Sequence, residues 1–489
     1  MTKFCFEDYV FGYADAETEF NMNRKIFEEA FYDPKNIIDK LINGYEFMLI
    51  GRKGVGKTAF SAKIRSLSEK DVNLNSDLMV LSNFEFKTFN KLKNLDLEGT
   101  QRFKSSWDLT LLIYIYKILN KRFDFSSVKE YQDRIEFLEQ NNLLSGKNIN
   151  NIIRTLSKKS FHFDMKVLKY DHEIELNKGT LSNTEVVEYL FEGLEEIYFN
   201  ENRLLLMIDG LDDVLRYKKE RLDILSGLIR SINEINLSFR RQQIPIKIIL
   251  LAREDILATI TDPDFNKIKR DGGIIINWNA KDDDLKNLVN LRFKLSGVSD
   301  ENIDKQWNFL FPFKIRNKDS WSYITEFTLN KPRDILQFLT QCQKTYPNKT
   351  NLTYSEMDQV LIDYSTEYFI EEMKNELAGF IDDEVINILP QVLQTIGGSD
   401  FSYKEFKKVV EKFVSDKPDT YYKKIIFTLF ENGYLGEVIS IRYWNKKLNR
   451  NSIRNQAIFK HKKSNIKINY DYKFSIHKGL YKALNIVKK

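Results

Sequence analysis

The tightest constraint on this chain lies between Tyr45 and Ile64. Phe47, Met48, Leu49 and Ile50 form a short apolar run, and Gly51, Gly56, Lys57 and Thr58 follow with the spacing G-x-x-x-x-G-K-T. Phe60, Ile64 and Leu67 then recur at intervals that a helix could bury. A buried strand must therefore turn sharply and enter a helix. The glycines let backbone N–H groups curl around a phosphate and deliver it to the helix N-terminus. The motif assigns phosphate contact to Gly51, Arg52, Lys53, Gly54, Val55, Gly56, Lys57, Thr58 and Ala59. Lys57 would reach the β- and γ-phosphates, and the Thr58 hydroxyl would bind Mg²⁺. The bland alternative is a glycine-rich turn, which the strand before and the helix after disfavour.

A second apolar run, Leu204–Ile208, ends in Asp209, and Asp212 and Asp213 follow a Gly-Leu turn. A carboxylate at the C-terminal end of a buried strand would hold Mg²⁺ through its water shell, opposite Thr58. Asp212 or Asp213 would orient or deprotonate the attacking water, and the sequence does not choose between them. Either is otherwise a loop carboxylate or a helix cap. A guanine-reading N/T-K-x-D motif is missing from any suitable place, so the expected nucleotide is ATP.

The chain has 489 residues, enough for two or three domains with cores of their own. With 42% hydrophobic and 30% charged residues it reads as a folded protein. It shows no apolar run long enough to cross a bilayer and no signal peptide. The cysteines are Cys5 and Cys342, too few for a disulfide framework, which points to a reducing cytoplasm. So few cysteines and scattered histidines also argue against structural zinc.

Taken together, GRKGVGKT and IDGLDD resemble the AAA+/STAND branch of P-loop ATPases. With FGYADAETE near the N-terminus and the later KPRD, they are similar to a prokaryotic ATPase family, some of whose members lie in phage-defence loci. The resemblance covers about residues 8–340 and is weaker in the tail. It implies an α/β P-loop NTPase core with a parallel sheet over residues 1–280, followed by a helical lid over 281–350. It also implies roles for three arginines. Arg253, directly after the expected strand Ile246–Ala252, would sense the γ-phosphate. Arg333, in Lys331-Pro332-Arg333-Asp334, would contact nucleotide when the lid closes. Arg270 would be a finger acting on a neighbouring copy, although a solvated basic loop is the better reading there. The ordinary alternatives are salt bridges: Arg253 with Glu254 or Asp255, and Arg333 with Asp334 or a nearby acid.

The remaining expectations come from pattern. Leu78–Phe86 and Gly273–Trp278 read as strands, and Phe103–Asn120, Leu181–Phe199 and Lys219–Asn236 as helices. Residues 121–180 read as a polar helical insertion without a chemical motif. Phe11, Tyr13 and Tyr32, ahead of the glycine-rich loop, could stack on a base or simply pack in a core. From about residue 351 to 489, helices Glu367–Ile396, Tyr403–Phe413 and Tyr421–Asn432 precede alternating segments and a last helix, Ser475–Ile486. This order suggests a winged-helix-like α+β domain. From Ile441 to Lys489 there are 14 Lys and Arg against the single acid Asp471, although the whole chain carries only +5. Lys446, Lys447, Arg450, Arg454, Lys460, Lys462 and Lys463 cluster with Tyr443 and Trp444, which suits phosphate contact and stacking. A solvated face, or contact with the acidic body, is the competing reading.

The expected function is an Mg²⁺-dependent ATP-hydrolysing switch acting through homo-oligomerisation or a separate effector protein. The alternative is a low-turnover, ATP-bound nucleic-acid sensor or assembly scaffold. A small-molecule kinase is disfavoured, because no acceptor pocket can be read.

Overall fold

The structure is a computed structural model. It describes residues 4–486 except 95, 96, 100, 147, 159–181, 212–218, 261, 263, 279–282, 446–448 and 464. The chain divides into two compact units. One comprises Lys35–Gly51 and Phe60–Ile276; the other comprises Met1–Pro34, Arg52–Ala59 and Asn277–Lys489.

The first unit is α/β. Its strands are β1 (Met48–Gly51), β2 (Leu74–Val80), β3 (Arg203–Asp209), β4 (Ile246–Arg253) and β5 (Gly273–Ile275). They form one parallel sheet in the order β2-β3-β4-β1-β5. Strands buried on both faces need continuous apolar sequence, which β1, β3 and β4 supply. Helix Gln101–Arg122 is buried on nearly every side, from Phe103 to Leu119. It is therefore an interior helix rather than an amphipathic surface one. Tyr116 stacks on Tyr131 at 5.5 Å, which draws helix Lys129–Gln140 of the expected insertion into the same core.

Two strand expectations are corrected. β2 begins and ends earlier than Leu78–Phe86, because its ladder runs Leu74↔Arg203 to Val80↔Asp209. The aromatic residues that suggested strand pack elsewhere: Phe84 lies 5.1 Å from Trp107 and 4.7 Å from Phe86, and Phe86–Phe89 is helical. β5 stops at Ile275, and Ile276 donates its N–H to Ile50.

In the second unit, Glu19 and Arg292 form a two-pronged ion pair of 2.6 and 2.8 Å, with side chains only 4% and 6% exposed. Gly12 has φ +73°, and a Cβ there would sit 1.9 Å from the Glu19 carboxylate. The FGYADAETE segment thus clamps onto helix Asp284–Leu295. Phe11 is core: it stacks on Tyr9 at 5.5 Å and meets Phe293 edge-on. The small hairpin of β6 (Lys314–Ile315) and β7 (Lys318–Asp319) precedes helix Pro332–Thr345.

Further along, the expected helix Glu367–Ile396 is two. Ile370–Leu377 ends before Gly379, whose φ is +87°, and Asp383–Ile396 follows. Gly397 then closes that second helix at φ +68°. After β8 (Asp400–Phe401) come helices Tyr403–Val410 and Asp419–Glu431. β9 (Leu435–Asn445), β10 (Arg450–Phe459) and β11 (Lys473–Ile476) follow, in a sheet ordered β10-β9-β11-β8. The expected last helix is corrected as well. Ser475 and Ile476 belong to β11, and only Tyr481–Leu484 is α-helical.

Candidate nucleotide site

β1 ends at Gly51 and helix Lys57–Ser68 begins at the lysine of the motif, so the glycine-rich run is the whole connection. Gly54 and Gly56 hold φ +80° and +99°, a backbone region that L side chains rarely adopt. A Cβ added at Gly56 would meet only Ala59, at 4.0 Å. The Lys57 ammonium folds back and donates to the Arg52 carbonyl at 3.1 Å. From outside the motif, the buried Trp278 indole N–H donates to the Val55 carbonyl at 2.9 Å. Tyr32 packs beside that indole, 6.1 Å between rings, and its hydroxyl donates to Asp284. Tyr13 is exposed. Trp278 is a supporting residue that sequence reasoning missed, since it stood there as the end of a strand.

In the sheet, Asp209 lies at the C-terminal end of β3, and Gly210 donates its N–H to the Asp209 carboxylate at 2.7 Å. Gly210 has φ +85°, and a Cβ there would approach the Ser82 nitrogen to 2.8 Å. Arg253 ends β4 directly opposite Gly51 in register. It is 6% exposed, and its guanidinium is gripped on two nitrogens by Asp255, at 3.0 and 2.5 Å. β4 therefore lies between the strand that feeds the loop and the strand that ends in Asp209, with Arg253 at its tip. Asp212 and Asp213 lie outside the described residues. Arg270 is 74% exposed and paired with its neighbour Asp271.

The KPRD turn comes to the loop. A Cβ on Gly54 would lie 3.4 Å from Lys331 Cδ and 3.6 Å from both Cβ and Cδ of Arg333. Pro332 opens its helix at the first turn, where no N–H is needed. Asp334 does not take Arg333. Its buried carboxylate accepts from the Leu329 N–H and the Tyr368 hydroxyl, and burial pushes it up. Arg333 reaches Glu372 at 3.1 Å. Lys331 pairs with Glu376, both fully buried, and the Tyr434 hydroxyl donates to the same carboxylate at 3.0 Å. Burial and the neighbouring Glu376 raise the Glu372 carboxyl, against the pull of Lys53, Arg333 and Lys331.

Arg52 also points away from its own loop. It donates to the Asn432 carbonyl, at the end of helix Asp419–Glu431. Gly433, at φ +83°, leaves room there. A Cβ would meet His461 Nδ1 at 3.0 Å and Arg52 Nη2 at 3.1 Å. Burial, with His477 and Arg52 adding, holds the His461 imidazole well below its ordinary value, so it is neutral.

Within the C-terminal sheet, β11 pairs with β9 only over Leu435–Val438. Residues 439–445 of β9 and 450–456 of β10 pair with each other and project as a two-stranded arm. On it Arg450, Arg454, Tyr443, Trp444 and Ile453 are exposed, with Arg454 lying 5.6 Å over the Tyr443 ring. Lys446 and Lys447 lie outside the described residues. Lys460 belongs to the body rather than the arm, paired with Glu431 at 3.1 Å.

Among the described residues, no helix is long and apolar enough to cross a membrane, and no cluster of three or more His, Cys, Asp or Glu could hold a metal ion. Residues 283–371 match the model of a FunZ-associated C-terminal helical domain. None of the curated proteins gives a match. Among solved structures, the chain is similar to Orc1 of Aeropyrum pernix in complex with DNA, at 11% identity and a TM-score of 0.34, covering 90% of this chain and 89% of that one. It is also similar to Cdc6p of Pyrobaculum aerophilum, at 12% identity and 0.29, covering 93% and 94%. Drosophila ORC bound to DNA matches at 10% identity and 0.27, covering 96% and 92%. At such scores these likenesses carry no functional weight.

Proposed function

We propose that the chain binds ATP with Mg²⁺ on the loop Gly51–Ala59 and hydrolyses it as a molecular switch. One observation carries this reading. The motif has the backbone it requires, with two left-handed glycines leading into a helix that starts at Lys57, and a carboxylate ends a parallel strand of the sheet that feeds it. Neighbouring strands lie about 4.8 Å apart, so β1 and β3 end roughly 10 Å from each other along one edge.

The donor set fits the group. Loop amides and the helix N-terminus favour a polyphosphate, and a hydroxyl and a carboxylate are hard oxygen ligands for Mg²⁺. Mg²⁺, when bound, offsets the phosphate charge and orients the γ-phosphoryl group. Lys57 leaves the Arg52 carbonyl to neutralise phosphate. Thr58 and Asp209 hold the metal, and Asp212 or Asp213 positions water. Arg253, kept in place by Asp255, reads the γ-phosphate from the tip of β4. Arg333 does so from the KPRD turn, so loss of the phosphate changes what these arginines bind. Two states separated by a few kcal/mol suffice for such a switch. A role in anti-phage defence is proposed on the family likeness alone.

A second reading concerns the output. The basic, aromatic arm of β9 and β10 favours a nucleic-acid sensor in which ATP turns over slowly, within a homo-oligomer or beside an effector protein. Titration of fluorescent ATP with and without Mg²⁺ tests the core reading. Thr58→Ala and Asp209→Asn should each lose most of the Mg²⁺ dependence, by about tenfold or more in affinity. Unchanged Mg²⁺ dependence in both would remove the metal assignment.

A further inference from the structure

Two cations beside the loop, Lys331 and Arg333, are held by glutamates, and the two glutamates differ. Glu376 is committed to the fold: it is buried, paired with Lys331 and bonded by Tyr434. Glu372, one helical turn earlier, accepts from Arg333, and its other opposing charges include Lys53 of the loop itself. Arg333 is the residue whose stem lies against Gly54, and its head is drawn off to Glu372 with a side chain still 26% exposed.

We infer that Glu372 is an intramolecular competitor for nucleotide phosphate, occupying Arg333 beside the loop until a phosphate displaces it. The inference rests on the nucleotide reading above. A carboxylate oxygen and a phosphate oxygen offer the same acceptor to a guanidinium, and the pairing geometry is alike. Arg333 bonded to Glu372 is therefore an arginine whose phosphate-binding capacity is already taken. Glu372 and Glu376 stand four apart on one helix face, where like charges repel. Freed of Arg333, Glu372 has reason to move away from Glu376. Exchange of Arg333 between the two acceptors would couple the loop's occupancy to helix Ile370–Leu377.

Equilibrium titration of fluorescent ADP and ATP with Mg²⁺, on the full chain, tests this. The variants are Glu372→Gln, Arg333→Ala and the double substitution, with Lys57→Ala as the control for the loop. Glu372→Gln should tighten binding by about tenfold, the size expected for releasing one charge-assisted bond. In the Arg333→Ala background the same change should have a much smaller effect, left only by the attraction between Glu372 and Lys53. A purely structural glutamate would not give that dependence on Arg333. Should Glu372→Gln not fold, Glu372→Asp keeps the charge but withdraws it and should tighten binding to a lesser degree. Binding weakened or unchanged by either variant, while Lys57→Ala still abolishes it, overturns the competitor and leaves the nucleotide site standing. Absence of nucleotide binding in the unaltered chain overturns both.

Discussion

At the scale of single residues, the structure pairs charges both close together and far apart along the chain. Of the two acids the sequence offers Arg253, Glu254 and Asp255, Asp255 holds it. Two residues on one chain turn can be paired by eye. For Arg333 the sequence offers Asp334 or a nearby acid, and the side chain takes Glu372, a partner 39 positions away that only the folded chain brings near. Glu19 with Arg292 and Trp278 with Val55 are equally long-range, and local spacing carries no trace of them. Another such pair gives a pH prediction. Asp262 accepts from Arg230 on two oxygens and from Ser226, and the Arg230 bonds, foremost among the causes, bring its carboxyl down to about 2. A folded pKa below the unfolded one means the unfolded chain binds more protons in between. The stabilisation is therefore present above about 4 and is lost as pH falls toward 2. Thermal unfolding followed from pH 7 to 2 should show this loss. Arg230→Met should lower stability at pH 7 by roughly 3 kcal/mol and flatten the acid limb, because the uncompensated carboxylate is already costly. An identical acid limb in the variant would contradict the assignment.

At the scale of elements, continuous apolar runs were legible and aromatic runs were not. β1, β3 and β4 declared themselves because strands covered on both faces leave no room for polar residues. β2 is an edge strand carrying Asn75, Ser76 and Asp77, and Asp77 is satisfied by Tyr114 and Arg122. The apolar signal therefore shifted downstream into aromatics that belong to a helix packed on Trp107. The arm of β9 and β10 belongs to this scale too. A two-stranded ribbon exposing Trp444 and Ile453 is marginal by itself in water, and its arginines suit a polyanion. Binding of double- or single-stranded DNA should fall steeply with salt. Replacing Arg450 and Arg454 by Ala should reduce the slope of log affinity against log salt by roughly 2. A slope that does not change would move nucleic-acid contact elsewhere on the molecule or dispose of it.

At the scale of the whole molecule, the sequence predicts an α/β core, then a helical lid and a winged-helix-like α+β domain; the parallel sheet, and the helices with a separate sheet in the C-terminal part, agree with that class. It did not anticipate that Arg52–Ala59 would group with residues 277–489 rather than with the strand that precedes it. Arg52 at Asn432, and Gly54 against Lys331 and Arg333, show how that grouping arises. The most direct test is steady-state phosphate release from MgATP by the full chain and by Lys57→Ala. The account predicts measurable turnover that falls at least a hundredfold in the variant, on the order of what removing one transition-state charge partner costs. Equal rates in the two proteins would contradict it.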